Sequence, residues 1–170
     1  MFATSALGAG LADPEGTGPP LPDPDPRLLE MWAEMGDERE QAAELDWRVA
    51  HWRLLNGDAL PFDAAEFRAL EERVIAHSGT SAASFAHALA DQGGLDRDPA
   101  ALAAVTVPTL VVEAPEDPVN PPPHARHLAD TIGGARLVTI PGMGHALPAT
   151  VVPRLAEEIL AHTAAADAGS

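Results

Sequence analysis

Two side chains in this sequence are of the right kinds, and in the right order, to work as a hydrogen-bonded carboxylate–imidazole pair. Asp117 closes the segment Pro108-Thr-Leu-Val-Val-Glu-Ala-Pro-Glu-Asp117, and His145 closes Leu137-Val-Thr-Ile-Pro-Gly-Met-Gly-His145. Each segment is a short apolar run with strand character that ends on a reactive group. A carboxylate on the far nitrogen of an imidazole fixes its tautomer and stabilises the imidazolium, which lets the near nitrogen deprotonate a hydroxyl nucleophile. Asp117 and His145 therefore read as the acid and base of a Ser-His-Asp set. The plainer alternatives are a turn-forming Asp before Pro118 and a loop His without a partner. The serines are Ser5, Ser78, Ser81, Ser84 and Ser170, and none lies in a Gly-x-Ser-x-Gly run. The nucleophile is missing from these 170 residues.

The elements needed to position the pair can be read around them. Residues 107–112 form a continuous apolar run, as expected of a parallel strand buried on both faces. Asn120 is a candidate cap for a helix whose first turn would hold Pro121 to Pro123, where missing N–H groups cost little. Gly133 and Gly134 stop that helix. Residues 136–140 are the next strand, and residues 151–162 the last helix, with Leu155, Ile159 and Leu160 facing inward. Parallel strands joined through a helix make a right-handed βαβ unit. Reactive groups in such sheets gather past the carboxyl ends of the strands, where Asp117 and His145 both fall. Pro118 stiffens the turn after Asp117, and Gly144 permits a close backbone approach next to His145.

Upstream the pattern is helical. Residues 13–25 are a Pro/Asp/Gly-rich connector with no periodicity. A helix is expected from 26 to about 35, and a longer one from about 38 to 55, with Leu45, Val49 and Trp52 on one face and Gly57 past its end. The third helix has Asp63 as N-cap, Glu66 as capping-box partner, and Phe62 and Phe67 as a hydrophobic staple; Leu70 and Val74 continue its apolar stripe. A weaker helix is expected over 81–91, followed by a loop over 93–99. Residues 26–92 thus form a small helical subdomain. His51, His77 and three tryptophans lie in it, and Trp47 and Trp52 are the candidates for contact with an apolar substrate. Core packing is the alternative role for those rings.

The runs Val107-Pro-Thr-Leu-Val-Val-Glu-Ala-Pro-Glu-Asp-Pro118 and Ile140-Pro-Gly-Met-Gly-His-Ala-Leu-Pro148 resemble the acid-bearing and His-bearing segments of the α/β-hydrolase superfamily, above all the aclacinomycin methylesterase-like esterases. The Asp-then-His order is that of the family, and Asp117 fits its pattern better than Glu116. The resemblance implies an α/β architecture: a partial α/β-hydrolase fold in which a helical cap (26–92) precedes a βαβα unit with parallel strands (100–163). It makes residues 1–12 the remnant of a core strand and loop. It implies a carboxylic ester hydrolase with Asp117 and His145 as triad members, no cofactor, and a small apolar ester as the substrate of the intact parent. Serine and oxyanion hole are absent here, so inactivity of the isolated chain is expected. A half-enzyme completed by a second chain that supplies the N-terminal half of the fold is one alternative. A non-catalytic module binding an apolar ligand is the other.

Composition sets the outer limits. Hydrophobic residues make up 46%, a globular proportion. A formal charge of −16 argues against nucleic acid or an anionic membrane as partner. All ten basic residues are Arg, and cysteine is absent, which removes disulfides and thiolate metal sites. His124 and His127 share a helix face at i, i+3, but no third ligand is suggested, so no metal is expected. The first twelve residues have no cationic stretch, so a signal peptide is not expected, and the cytoplasm is the default location. The strands want covering on both faces, so the chain alone is expected to be poorly stable.

Overall fold

The computed structural model describes residues 21–81 and 102–168. In chain order these form α1 (Pro26–Ala33), α2 (Gln41–Asn56), α3 (Ala64–Ser78), β1 (Leu110–Glu113), α4 (His124–Thr131), β2 (Arg136–Thr139) and α5 (Val152–Ala168). The fold class is α/β: three helices, then β-α-β-α with the two strands parallel. Val111 lies opposite Leu137 and Val112 opposite Val138. The residues expected to form the weaker helix at 82–91 and the loop at 93–99, like residues 1–12, fall outside the described ones.

Local chemistry explains most boundaries. Pro26 opens α1, with the Asp25 side chain accepting from Arg27 N–H. Gly57, at φ +74, closes α2, a conformation a Cβ resists. Asp63 caps α3 as expected, accepting from Ala65 and Glu66 N–H at 2.9 and 3.2 Å. Phe62 and Phe67 stack at 5.2 Å, which is the staple.

Five expectations are corrected. Strand β1 begins at Leu110, not 107, and Val107 is 67% exposed. Pro108 cannot donate to a ladder, so pairing starts past it, with Arg136 N–H on Thr109 O. The prolines at 121–123 precede α4 instead of forming its first turn, and Pro123, not Asn120, is the N-cap. A residue before proline is pushed out of the α region, and Asn120, Pro121 and Pro122 all stand before one. Glu66 does not close a capping box; it reaches Ala149 N–H at 2.8 Å, 83 residues away. Val74 and Leu160, expected inside, are 45% and 68% exposed. Helix α5 runs on to Ala168, well past the expected 162.

Two apolar clusters hold the chain together. Leu28, Leu55, Phe67 and Ala146 form the first, with Trp32, Trp52 and Val119 packed on it. Ile140, Met143 and Val151 form the second, against Val112, Val138 and Leu155. Ala146 follows His145 and Val119 lies two residues after Asp117, so the first cluster anchors the loops that carry Asp117 and His145 to the first three helices. Between α2 and α3, Arg48 bridges Glu44 and Glu71 at 2.8 and 2.9 Å, while Trp52 N–H donates to Glu71 at 2.7 Å.

Candidate active site

Asp117 lies four residues past β1 and His145 six past β2, at the carboxyl edge of the parallel pair. The loops meet: His145 Nδ1 stands 3.0 Å from Asp117 Oδ2. An ionised carboxylate only accepts, so the proton of this bond belongs to His145 Nδ1, and the ring's lone pair is at Nε2. That is the tautomer a general base requires. His145 Nε2 makes no hydrogen bond among the described residues, and the His145 side chain is 27% exposed.

Asp117 is buried, and its other oxygen is fully engaged. Oδ1 accepts from Val119 N–H at 2.7 Å and from Asn120 N–H at 3.0 Å. The turn-forming role and the imidazole-orienting role are therefore both real, one on each oxygen. Burial by itself would raise the carboxyl's pKa. The hydrogen bond from His145 and those from Asn120 and Val119 outweigh it, holding the group below its ordinary value. Glu116, the alternative acid, uses its backbone N–H on Met143 O and is not the partner of His145.

The helical subdomain holds both loops. His145 N–H and Ala146 N–H both donate to Leu55 O, at 2.7 and 3.1 Å, satisfying a carbonyl that the end of α2 leaves open. Asp25 N–H donates to Pro118 O at 2.8 Å. Gly144 allows the approach expected of it: a Cβ there would lie 2.5 Å from Leu55 O, and closer still to Asn56 O.

The remaining candidates divide clearly. His51 is on α2, one turn before Leu55, and takes Trp32 indole N–H on Nε2 at 3.0 Å. Burial, then repulsion from His145, lowers its pKa, against a pull from Glu71, so the ring stays neutral within electrostatic reach of His145. Trp52 stacks on Phe67 at 5.1 Å in the core. Trp47 is half-buried, donates to Glu34 at 3.3 Å, and carries the Arg39 guanidinium over its ring at 4.8 Å. His77 is exposed on α3. His124 Nε2 sits 2.9 Å from Pro22 O, tying the connector to α4, and the described residues hold no cluster of three metal-ligating side chains. A cavity of about 280 Å³ opens behind Asp117, walled by Asp25, Arg27, Gly57 and Pro115. Sequence reasoning missed Asn56 and the Leu55 carbonyl. The sole visible sign was Gly57 ending an otherwise well-formed helix.

A parallel β-α-β unit with an Asp–His pair past its carboxyl edge is an arrangement of the α/β-hydrolase kind, and the similarities to known proteins point the same way. Residues 88–153 match the α/β-hydrolase family model for TAP-like proteins. Among curated proteins, the chain is similar to rhodomycin D methylesterase DauP of Streptomyces sp. (strain C5) and rhodomycin D methylesterase DnrP of Streptomyces peucetius. Each is 47% identical over 147 residues, which is 86% of this chain and 49% of the relative. The chain thus spans about half the length of the curated relatives it matches. No described helix is long and apolar enough to cross a membrane.

Proposed function

We propose that this chain supplies the acid and base of a carboxylic ester hydrolase acting on a small apolar ester, with methyl esters the first class to try. The observation that carries the reading is the 3.0 Å bond between His145 Nδ1 and Asp117 Oδ2, because it fixes the lone pair at Nε2. In the reaction, Nε2 takes the proton of a serine hydroxyl as its oxygen attacks the ester carbonyl. The same proton then goes to the departing alkoxide. Water, deprotonated by His145, then attacks the acyl-serine, and the imidazolium returns that proton to the serine oxygen as the acid departs. Asp117 stabilises the imidazolium at each stage. The 47% identity to two methylesterases supports the substrate class.

The 170 residues hold no Gly-x-Ser-x-Gly run, so the serine and oxyanion-hole donors come from outside them. Alone, the chain is expected not to turn over esters. Co-expression with a polypeptide carrying the elbow strand and nucleophile helix is expected to restore hydrolysis of a methyl or p-nitrophenyl ester, abolished by His145→Ala. Turnover by the chain alone, or a restored activity indifferent to His145→Ala, would count against the assignment. Trp47 is the cap side chain we place nearest to a substrate role. Trp52, stacked on Phe67 and bonded to Glu71, is the weaker of the two candidates because its ring packs on the core.

A further inference from the structure

The last turn of α2 touches both reactive loops at once. On one side the Leu55 carbonyl takes the N–H groups of His145 and Ala146, and Gly144 packs against the Leu55 and Asn56 carbonyls closely enough to leave no room for a Cβ. On the other side Gly57 abuts the residue before Asp117: a Cβ on Gly57 would fall 2.5 Å from Glu116 Cβ and 3.0 Å from Glu116 O. Asn56, 1% exposed, keeps the turn in shape, its amide donating to Gly57 O at 3.3 Å and Leu60 O at 3.1 Å.

We infer that the turn Leu55–Asn56–Gly57 is a two-sided spacer that sets the distance between Asp117 and His145, so that the cap positions the acid–base pair as well as covering it. The inference rests on the triad reading of that pair. Gly57 and Asn56 are positioning residues: neither touches the reacting atoms. Apart from the spacer, the two loops are joined by their own side-chain bond, by Glu116 N–H on Met143 O, by Ile140 N–H on Glu113 O where they leave the strands, and by Ala114 packed on Ile140 and Met143. A misplacement of about an ångström is enough to lose the geometry a general base needs.

The test reads the pair itself and not turnover, so its failure is separable from failure of the esterase assignment. In the full chain, the His145 Nδ1–H resonance and the ring nitrogen shifts report the bond to Asp117. Gly57→Ala is expected to shift both toward the values seen in Asp117→Asn. Gly79→Ala controls for a positive φ (+73) with nothing within 4 Å of a Cβ, and is expected to leave both signals at wild type. The extra strain of Gly57, whose ψ of −176 is a glycine-only region against 6 at Gly79, is carried equally by Gly57→Ala and by its double variant with Glu116→Gly. Adding Glu116→Gly to Gly57→Ala removes the side chain that the new methyl strikes, and is expected to restore the signals in part. Should Gly57→Ala not fold, amide exchange in the wild-type chain decides the matter. The His145 N–H on Leu55 O is expected to exchange about tenfold or more slowly than an unbonded loop amide. An unshifted His145 signal in folded Gly57→Ala, or unprotected exchange at His145, overturns the inference.

Discussion

Asp117 divides its two oxygens between backbone and imidazole, and that division decides what an amide would do there. The N–H groups of Val119 and Asn120 both demand an acceptor at Oδ1. In Asp117→Asn the amide oxygen must answer them, which turns the NH2 toward His145 Nδ1. The ring then accepts at Nδ1 and carries its proton at Nε2, the wrong tautomer for a base. In the completed enzyme this substitution is expected to lower kcat by about 10⁴-fold, the loss seen when a triad Asp becomes Asn, with the structure intact; stopped-flow or steady-state ester hydrolysis checks it. A loss of tenfold or less, roughly, would show that another group sets the tautomer. The same carboxylate gives a pH prediction. Its folded-state pKa lies below the ordinary 3.8, while the unfolded chain titrates near ~3.9. On acidification the unfolded state takes up the proton first, so the contribution to stability is complete above about pH 4 and drains away as pH falls through the lower folded value. Urea midpoints followed below about pH 4 are expected to fall more steeply in wild type than in Asp117→Asn. Parallel slopes would mean that the bond to His145 adds nothing to the fold.

Helix α3 shows what a local pattern can and cannot specify. Asp63 is an N-cap satisfied within three residues, and Asp63→Ala is expected to cost about 1 kcal/mol, with Asp63→Asn recovering most of it; urea unfolding at constant m-value measures both. The seam between α2 and α3 is worth more. Glu71, buried, accepts from Arg48 and from Trp52, so Glu71→Ala leaves the Trp52 indole N–H unpaired and takes one partner from part-buried Arg48, which keeps Glu44 and the Ser81 carbonyl, at a cost of about 1–3 kcal/mol. Glu71→Gln keeps an acceptor for Trp52 and is expected to fall between. If Glu71→Ala costs no more than Asp63→Ala, solvent reaches Arg48 and the seam is only a surface pair. Asp63 was legible in the sequence because its partners are two and three residues on. Glu66 was legible as a charge in the right place, but its partner, Ala149, becomes a neighbour only through tertiary packing. The same limit applies at the site. The strand-end Asp and His, and Gly144 beside the latter, could be read directly, whereas the Leu55 carbonyl that holds His145 is a backbone group whose one mark in the sequence is Gly57 ending the helix. Leu160 and Val74 were misplaced because helical periodicity defines an apolar stripe without supplying a surface to cover it. Prolines erred differently: a missing N–H was weighed at Pro121 to Pro123, and the constraint each imposes on the residue before it was not.

At the scale of the whole molecule the described sheet has two strands, so each strand has one edge without a ladder partner among the described residues. Val107, Leu147 and Leu160 are more than half exposed. Unpaired edges and uncovered apolar side chains favour association with other chains. A formal charge of −16 opposes it, because every copy repels every other. The balance depends on salt. The screening length shrinks from about 30 Å at 0.01 M to about 3 Å at 1 M, while apolar attraction is not weakened. The isolated chain is therefore expected to be monomeric at low ionic strength and to gain mass as sodium chloride is raised, with a parallel rise in binding of an apolar dye. Light scattering follows the first and fluorescence the second. A polypeptide that completes the sheet covers the same edge, so its addition is expected to return the mass to that of a one-to-one complex and to displace the dye. A chain that stays monomeric and dark to the dye at every salt concentration would show that its strand edges are already covered by its own residues, and the completing polypeptide would then have no edge to join.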